Sequence, residues 1–318
     1  MTGLEEAGLR YVTQQEVARV SDLRTFVAEL RAAYAEPQDL ETPPRSLILR
    51  EDPFRAFVAM PIYSGKHQLF ITKVGAVVPQ ALSQHPSVHA LVVVFSALTG
   101  APLAILDGMA ITNLKCAAVS ALVTDICAHE QAEVLAIIGS GVQAREQLRG
   151  VGAVRKLGEV RVYSRNPNNV REFIRRNEAL AEGARWVACN SADEAVAPAD
   201  IVSTTTTSTT PVVSSAALRR ERLHINCMGA HTPRSRELPV DVLETSRLIV
   251  EDVEMAVAEA GEVHRHATPL ARLVHLDASE LREVRTAFCS TGHAFLDLLA
   301  SMHVLERSGL RAELTRTE

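Results

Sequence analysis

Aromatic side chains are scarce in this sequence: eight Phe, four Tyr and one Trp make up 4% of its 318 residues. A stacking platform for single-stranded nucleic acid is therefore not expected. There is no basic block, and the formal net charge is −5, so the positive field that nucleic-acid binding draws on is also missing. Small molecules are the expected partners. The five cysteines, Cys116, Cys127, Cys189, Cys227 and Cys289, form no CxxC pair and read as reduced thiols of a cytosolic protein, not disulfides or metal ligands. No apolar run approaches the ~20 residues needed to cross a bilayer. The opening stretch MTGLEEAGLRYV carries acids where a signal peptide carries bases. A cytoplasmic location away from membranes is expected. GxSxG and HExxH are both lacking, which argues against a serine hydrolase and a zincin. His264 and His266, two apart, would point to different faces of a helix and are read as polar loop or helix-end residues, so no metal site is expected. No repeat of 20 to 50 residues is visible.

What is present is a hydrophobic share of 47% against 22% charged, enough for a large buried core, and the length suits two domains. Residues 14 to 35 space Val17, Val20, Leu23, Phe26, Val27 and Leu30 three or four apart, which predicts an amphipathic helix. From 45 to 107, RSLILR, RAFVAMPIY, HQLFITKVGAVV, HALVVVFSAL and APLAILDG are β-rich runs separated by breaks. They predict a mostly antiparallel sheet, with TGAP at 99–102 as a turn between two strands. Thr112 to Cys127 reads as a helix with small residues on one face, which implies close packing against another element.

From about 133 the texture alternates strand with helix. EVLAIIG, EVRVYSR, ADIVSTTT, LHINCMG and SRLIVED read as strands, VQAREQLRGVGAV and PNNVREFIRRNEALAE as helices. Such alternation calls for a parallel sheet with helical crossovers. The tract STTTTSTTP at 203–211 reads as a strand end and loop, and Ser290 to about Leu305 as a helix that returns to the first domain. The expected fold class is α/β: a Rossmann-type parallel-sheet domain over 128–289, plus an α+β substrate-binding and dimerisation domain from 1–127 and about 290–318.

Between a predicted strand and helix stands Ile137-Ile138-Gly139-Ser140-Gly141-Val142-Gln143-Ala144, a GxGxxA pattern. Gly139 permits the tight turn, Gly141 lets backbone approach a pyrophosphate, and Ala144 allows helix and strand to pack closely. The helix N-terminus adds unpaired N–H groups and partial positive charge. A dinucleotide is expected here. At the end of the next strand, Tyr163-Ser164-Arg165-Asn166 holds no carboxylate to bind a 2′-hydroxyl but does hold a guanidinium, which suits a 2′-phosphate. NADP(H) is favoured, with NAD(H) the alternative. Val142, Gln143, Ser164, Arg165, Thr204, Thr206 and Met228 are counted with Gly139, Gly141 and Ala144 as candidate cofactor residues.

Further segments extend the picture. VFSALTGAPLAILDGMAITNLKCAAVSALVTDI at 94–126, GSGVQAREQL, HINCMGAHTPRSREL, LIVEDVEMAVAEAGEV and STGHAFLDLLAS run in order along most of the chain from about 45 to 301. Together they resemble the ornithine cyclodeaminase and mu-crystallin family. That family includes cyclodeaminases, ketimine reductases, alanine dehydrogenases and pyrroline-2-carboxylate reductases. The resemblance implies a substrate between the domains, its α-carboxylate held by basic groups that fall here on Arg45, Lys73 and Lys115. Arg45 is the natural two-pronged partner for a carboxylate. Lys115 stands where the family pattern has arginine, keeping the charge without the fork. His231 stands where cyclodeaminase members have an aspartate. With an unperturbed pKa of about 6.5, a histidine could serve as general acid or base. Lys73 and His231 are the candidate catalytic residues.

The resemblance implies an NAD(P)-dependent oxidoreductase acting on the C–N bond of a small amino or imino acid, foremost an NADPH-dependent imine reductase. The alternatives are a lyase of the ornithine cyclodeaminase type, an alanine-type dehydrogenase, and a binding protein for NADPH and a small ligand. A homodimer is implied as well.

Overall fold

Short β-rich runs divided by Gly, Pro and Ser breaks fold into two separate sheets. The computed structural model describes residues 9–52, 54–78, 87–229 and 236–310. Packing divides the chain into two compact units: Met1–Asp22, Glu36–Lys115 and His293–Glu318 in the first, Leu23–Ala35 and Cys116–Gly292 in the second. This division differs from the sequence-based boundaries at 127 and 290 in two places. It falls within one continuous helix, Gly108–Cys127, and it assigns Leu23–Ala35 to the second unit.

The helix expected over 14–35 is two helices, α1 (Gln14–Val20) and α2 (Leu23–Ala35). Thr13 and Glu16 close α1 with a capping box. At its other end Ser21 turns extended, its N–H bonding the Val17 carbonyl. The Asp22 N–H then donates to Nε2 of His303. An amphipathic spacing runs through the break unaltered, so periodicity alone could not reveal it.

In the first unit, β1 (Arg10–Val12), β2 (Leu40–Glu41), β3 (Ser46–Glu51), β4 (Phe54–Ser64), β5 (Leu69–Val77), β6 (Val88–Ser96) and β7 (Pro102–Asp107) form a sheet of order β1-β7-β6-β5-β4-β2, with β3 also on β4. All its pairs are antiparallel except β1 with β7. The predicted TGAP turn links β6 to β7, with Gly100 at φ +73°. Along β5 the two-residue period is plain: Leu69, Ile71 and Lys73 are buried while Phe70 and Val74 are exposed. The helix Ala294–Arg307, referred to below as the terminal helix, packs against β4 and β5.

The second unit carries β8 (Val134–Ile138), β9 (Glu159–Tyr163), β10 (Arg185–Ala188), β11 (Ile201–Thr204), β12 (His224–Cys227), β13 (Arg247–Val250), β14 (Thr268–Pro269) and β15 (Thr286–Cys289). Every pair is parallel, in the order β10-β9-β8-β11-β12-β15-β13-β14. The chain runs outward from β8 to β10, then returns to the other side of β8 at β11. This reversal is where doubly wound sheets open a crevice for ligands. Three strands, β10, β14 and β15, had no expectation in sequence. They are two to four residues long, too short for periodicity to register.

Helix α3 (Gly108–Cys127) begins four residues earlier than its spacing suggested. It is long and apolar enough to cross a membrane by length and composition, which the reading of uninterrupted runs had not counted. Most of it is buried inside the protein, as in a core helix. The small residues on α3 do meet another element. A Cβ on Gly150 of α4 (Val142–Val154) would lie 2.3 Å from the Ala117 carbonyl oxygen. A glycine-to-alanine change inside a helix ordinarily gains about 1 kcal/mol. Here the new methyl would meet backbone, and overpacking costs about 1–3 kcal/mol. Gly150→Ala should therefore lower the urea midpoint with little change in slope; a midpoint at or above wild type would show that the two helices can separate freely.

Candidate active site

The glycine turn in the second unit is dictated sterically. Gly139 follows β8 with φ +122°, and a Cβ there would stand 2.4 Å from Oγ1 of Thr205. Its N–H donates to the Tyr163 carbonyl at the end of β9. Gly141 is the N-cap of α4, provides no side chain to cap it, and has open space where its Cβ would be. The first-turn N–H groups of α4 are thus left for an anion. Val142 is exposed at that turn, while Ala144 is fully buried under it.

A cavity of about 490 Å³ opens on the same edge, lined by Gly139, Ser164, Arg165, Thr206 and Thr207 among others. Ser164 accepts a hydrogen bond from Ser140 at 3.1 Å, and Arg165 is exposed. The hydroxyl-rich walls, the bare helix N-terminus and the single guanidinium fit the phosphates and ribose of a dinucleotide. Gly139, Gly141, Ser164, Arg165 and Thr206 are all brought to this edge.

Thr204 and Met228 turn elsewhere. The Thr204 hydroxyl donates to Glu237 at 2.8 Å, and Met228 is buried with its sulfur accepting from Ser120 at 3.4 Å. Glu237, not expected from the sequence, is 1% exposed and joins the residues at the end of β11 to Gly229 after β12. Besides Thr204 it accepts from the N–H of Thr206 and, at 2.7 Å, from the N–H of Gly229. A Cβ on Gly229 would stand 2.4 Å from both Glu237 and the Thr206 carbonyl. Glu251 does the same for another strand end, accepting from Ser290 at 2.5 Å and from the N–H of Thr291 and of Gly292. Of the two, Glu237 sets the backbone of Thr206, which lines the cavity, without itself lining it.

In the first unit the structure joins two of the residues singled out in sequence. Lys73 lies in the middle of β5, in register with Met60 of β4 and Val92 of β6, and is 8% exposed. It is therefore not an edge-strand lysine reaching for solvent. Its ammonium donates to Oδ1 of Asp297 at 2.9 Å, and that of Lys115 donates to Oδ2 at 2.7 Å. Asp297, on the terminal helix, is fully buried. Burial pushes the Lys73 ammonium down to about 8, with Lys115 adding to the drop and Asp297 opposing it. Burial alone would raise the Asp297 carboxyl, but Lys115 and Lys73 outweigh that and hold it below its usual range.

Asp297 went unmarked in sequence because a lone acid in the first turn of a helix looks like an ordinary complement to the helix dipole. Arg45 is half-buried immediately before β3. His231 lies outside the described residues. Among the described residues, no group of three His, Cys, Asp or Glu side chains is placed to hold a metal ion.

A family model described as the ornithine cyclodeaminase/mu-crystallin family matches residues 10–308. A ketimine reductase mu-crystallin from Macropus fuliginosus is 31% identical over 253 residues, covering 78% of this chain and 79% of the relative. Thermococcus litoralis Delta(1)-pyrroline-2-carboxylate reductase, solved in complex with NADH and L-proline, is similar with a TM-score of 0.85 and 27% identity, over 96% of this chain and 98% of that one. An archaeal alanine dehydrogenase dimer with bound NAD gives 0.84 and 26%, over 96% and 97%.

Proposed function

This chain belongs to the ornithine cyclodeaminase/mu-crystallin family, and on that premise we propose that it is an NADPH-dependent reductase of the C=N bond in a small α-imino acid. The observation that carries this reading is the buried ammonium of Lys73 at the centre of a sheet. A lysine there costs desolvation that an apolar residue would avoid, and a reaction on an anionic substrate gives it a use. Relatives named ketimine reductase and pyrroline-2-carboxylate reductase act on such bonds. His231, where the cyclodeaminases have an aspartate, favours reduction over a lyase reaction.

Labour is divided between the units. The glycine turn and the N-terminus of α4 hold the cofactor, which when bound supplies the hydride to the imine carbon. Arg45 grips the substrate carboxylate through its guanidinium fork. Lys73 places positive charge beside the reacting group, and His231 or water brings the proton to nitrogen. The buried or half-buried free thiols suit the reducing cytoplasm.

Loss of NADPH absorbance with a panel of cyclic imino acids, and of α-keto acids mixed with amines, should show turnover. Turnover of L-ornithine to proline and ammonia on catalytic cofactor alone would instead make the chain a lyase.

Arg165 lines the cavity at the end of β9, where no carboxylate stands. Removing one charged hydrogen-bonding partner costs about 1.5–3 kcal/mol. Arg165→Ala should lower kcat/KM for NADPH by roughly ten- to a hundredfold and leave NADH nearly unaffected. A wild-type preference for NADH would remove the assignment.

One face of the first unit's sheet is apolar and exposed: Ile48 at 63%, Phe57 at 43%, Phe70 at 36% and Leu91 at 41%. Strand register puts Ile48 opposite Phe57, and Leu91 opposite Val74 on the same side as Phe70. Contiguous apolar surface of this kind marks an association site, and we assign it to a second copy of the chain. Sedimentation should give a dimer for wild type and a shift toward monomer for Ile48→Glu; a monomeric wild type would overturn this.

A further inference from the structure

We infer that Cys227 and Cys289 form a peroxide-reactive dithiol site, which hydrogen peroxide converts to a disulfide across two strands, loosening the cavity beside the glycine turn. The two residues are directly paired in the parallel ladder of β12 with β15. They belong to the same apolar cluster on one face of the sheet and are 2% and 1% exposed. Neighbouring strands run about 4.8 Å apart, and disulfides bridge Cα separations of about 4.4–6.8 Å. The pair can therefore close with little backbone movement. Of the other cysteines, Cys116 and Cys127 sit well apart on α3, and Cys189 follows β10.

The surroundings separate the roles of the two sulfurs. His264 is 2% exposed and donates from Nδ1 to the Gly261 carbonyl at 3.1 Å. Its buried Nε2 meets no nitrogen or oxygen partner among the described residues. Burial would lower the imidazole, but Cys289 and the Gly261 carbonyl outweigh it. Cys227 draws the Cys289 thiol down to about 6, with His264 assisting and burial and Glu251 opposing. Cys289, burial and the charge of Glu237 push the Cys227 thiol well up. Near neutral pH Cys289 is thus the thiolate and nucleophile, while Cys227 keeps its proton. His224, the other titratable group of β12, pairs with Thr286 at the far end of both strands.

The Cys289 thiolate attacks one oxygen of hydrogen peroxide, the O–O bond breaks, and hydroxide departs to take up a proton as water, leaving a sulfenic acid. Cys227 then attacks that sulfur, and its own proton leaves with the hydroxyl as a second water. Two electrons pass from the pair of sulfurs to the peroxide. Burial selects this oxidant, because hydrogen peroxide is small and uncharged, whereas a bulky disulfide cannot approach residues so enclosed. The consequence reaches the cavity through Glu237. Cys227 donates to its Oε2 at 3.6 Å, and the same carboxylate holds the Thr204 hydroxyl and the N–H groups of Thr206 and Gly229. A disulfide removes that S–H donor and draws the end of β12 toward β15. Thr206 lines the cavity, so its setting changes with the oxidation state.

The test treats the full-length reduced protein with hydrogen peroxide and maps its peptides under non-reducing conditions. A Cys227–Cys289 linkage should appear. NADPH binding, read by fluorescence, should weaken roughly two- to tenfold, the worth of one hydrogen bond, and a thiol reductant should restore it. The rate of linkage should rise with pH through about 6 as Cys289 loses its proton, and His264→Gln should shift that limb toward alkaline pH. Cys227→Ser should stop at a sulfenic acid on Cys289 that dimedone traps, whereas Cys289→Ser should leave Cys227 unlabelled. Free thiols on Cys227 and Cys289 after the half-buried Cys116 has been oxidised would overturn the site. Faster linkage by oxidised glutathione than by peroxide would do the same. A linkage that leaves NADPH affinity unchanged would overturn the tie to the cavity. Reduced protein that forms the linkage but never binds NADPH would count against the proposed cofactor and not against the dithiol.

Discussion

A carboxylate that water cannot reach must be matched by positive charge or give up its own. Asp297 is matched twice, by lysines 224 and 182 residues away in sequence. The match ties the middle of β5 and the first half of α3 to the terminal helix. Taking away Asp297 would leave two buried ammoniums without their shared carboxylate, at about 3–5 kcal/mol.

The second unit solves a different problem with different means. Its site must let backbone come close to a ligand, and it does so by omitting side chains. Gly139 clears Thr205, Gly141 leaves the end of α4 bare, and Gly229 makes room for Glu237. Glu237 and Glu251 are satisfied by backbone N–H and hydroxyl donors that they hold in place. The cavity wall is neutral apart from Arg165, which brings positive charge to it. Such a surface suits a cofactor that brings its own negative charge.

Much of this could be read along the chain. Helix α4 spans the residues its spacing predicted, the strands from β3 to β9 fall within a residue or two of their apolar runs, and the TGAP turn links the strands it was expected to link. Local signals sufficed because side-chain period and turn sterics act over a few residues. They failed where the decisive partner was remote. The break after Val20 depends on an extended Ser21 and on His303, and β15 is four residues recognisable only by the neighbours it pairs with.

The fold class, the parallel order of the second half and the glycine turn were determined by sequence alone, since periodicity and the absence of a Cβ are properties of neighbouring residues. Composition likewise directed attention to small molecules. Tertiary structure alone decided which charges meet. Lys73 and Lys115 were visible as candidates, but nothing near either one in the chain points to Asp297. Electrostatic matching depends on distance in space and on exclusion of water, and both are created only when three distant segments close over the same buried point.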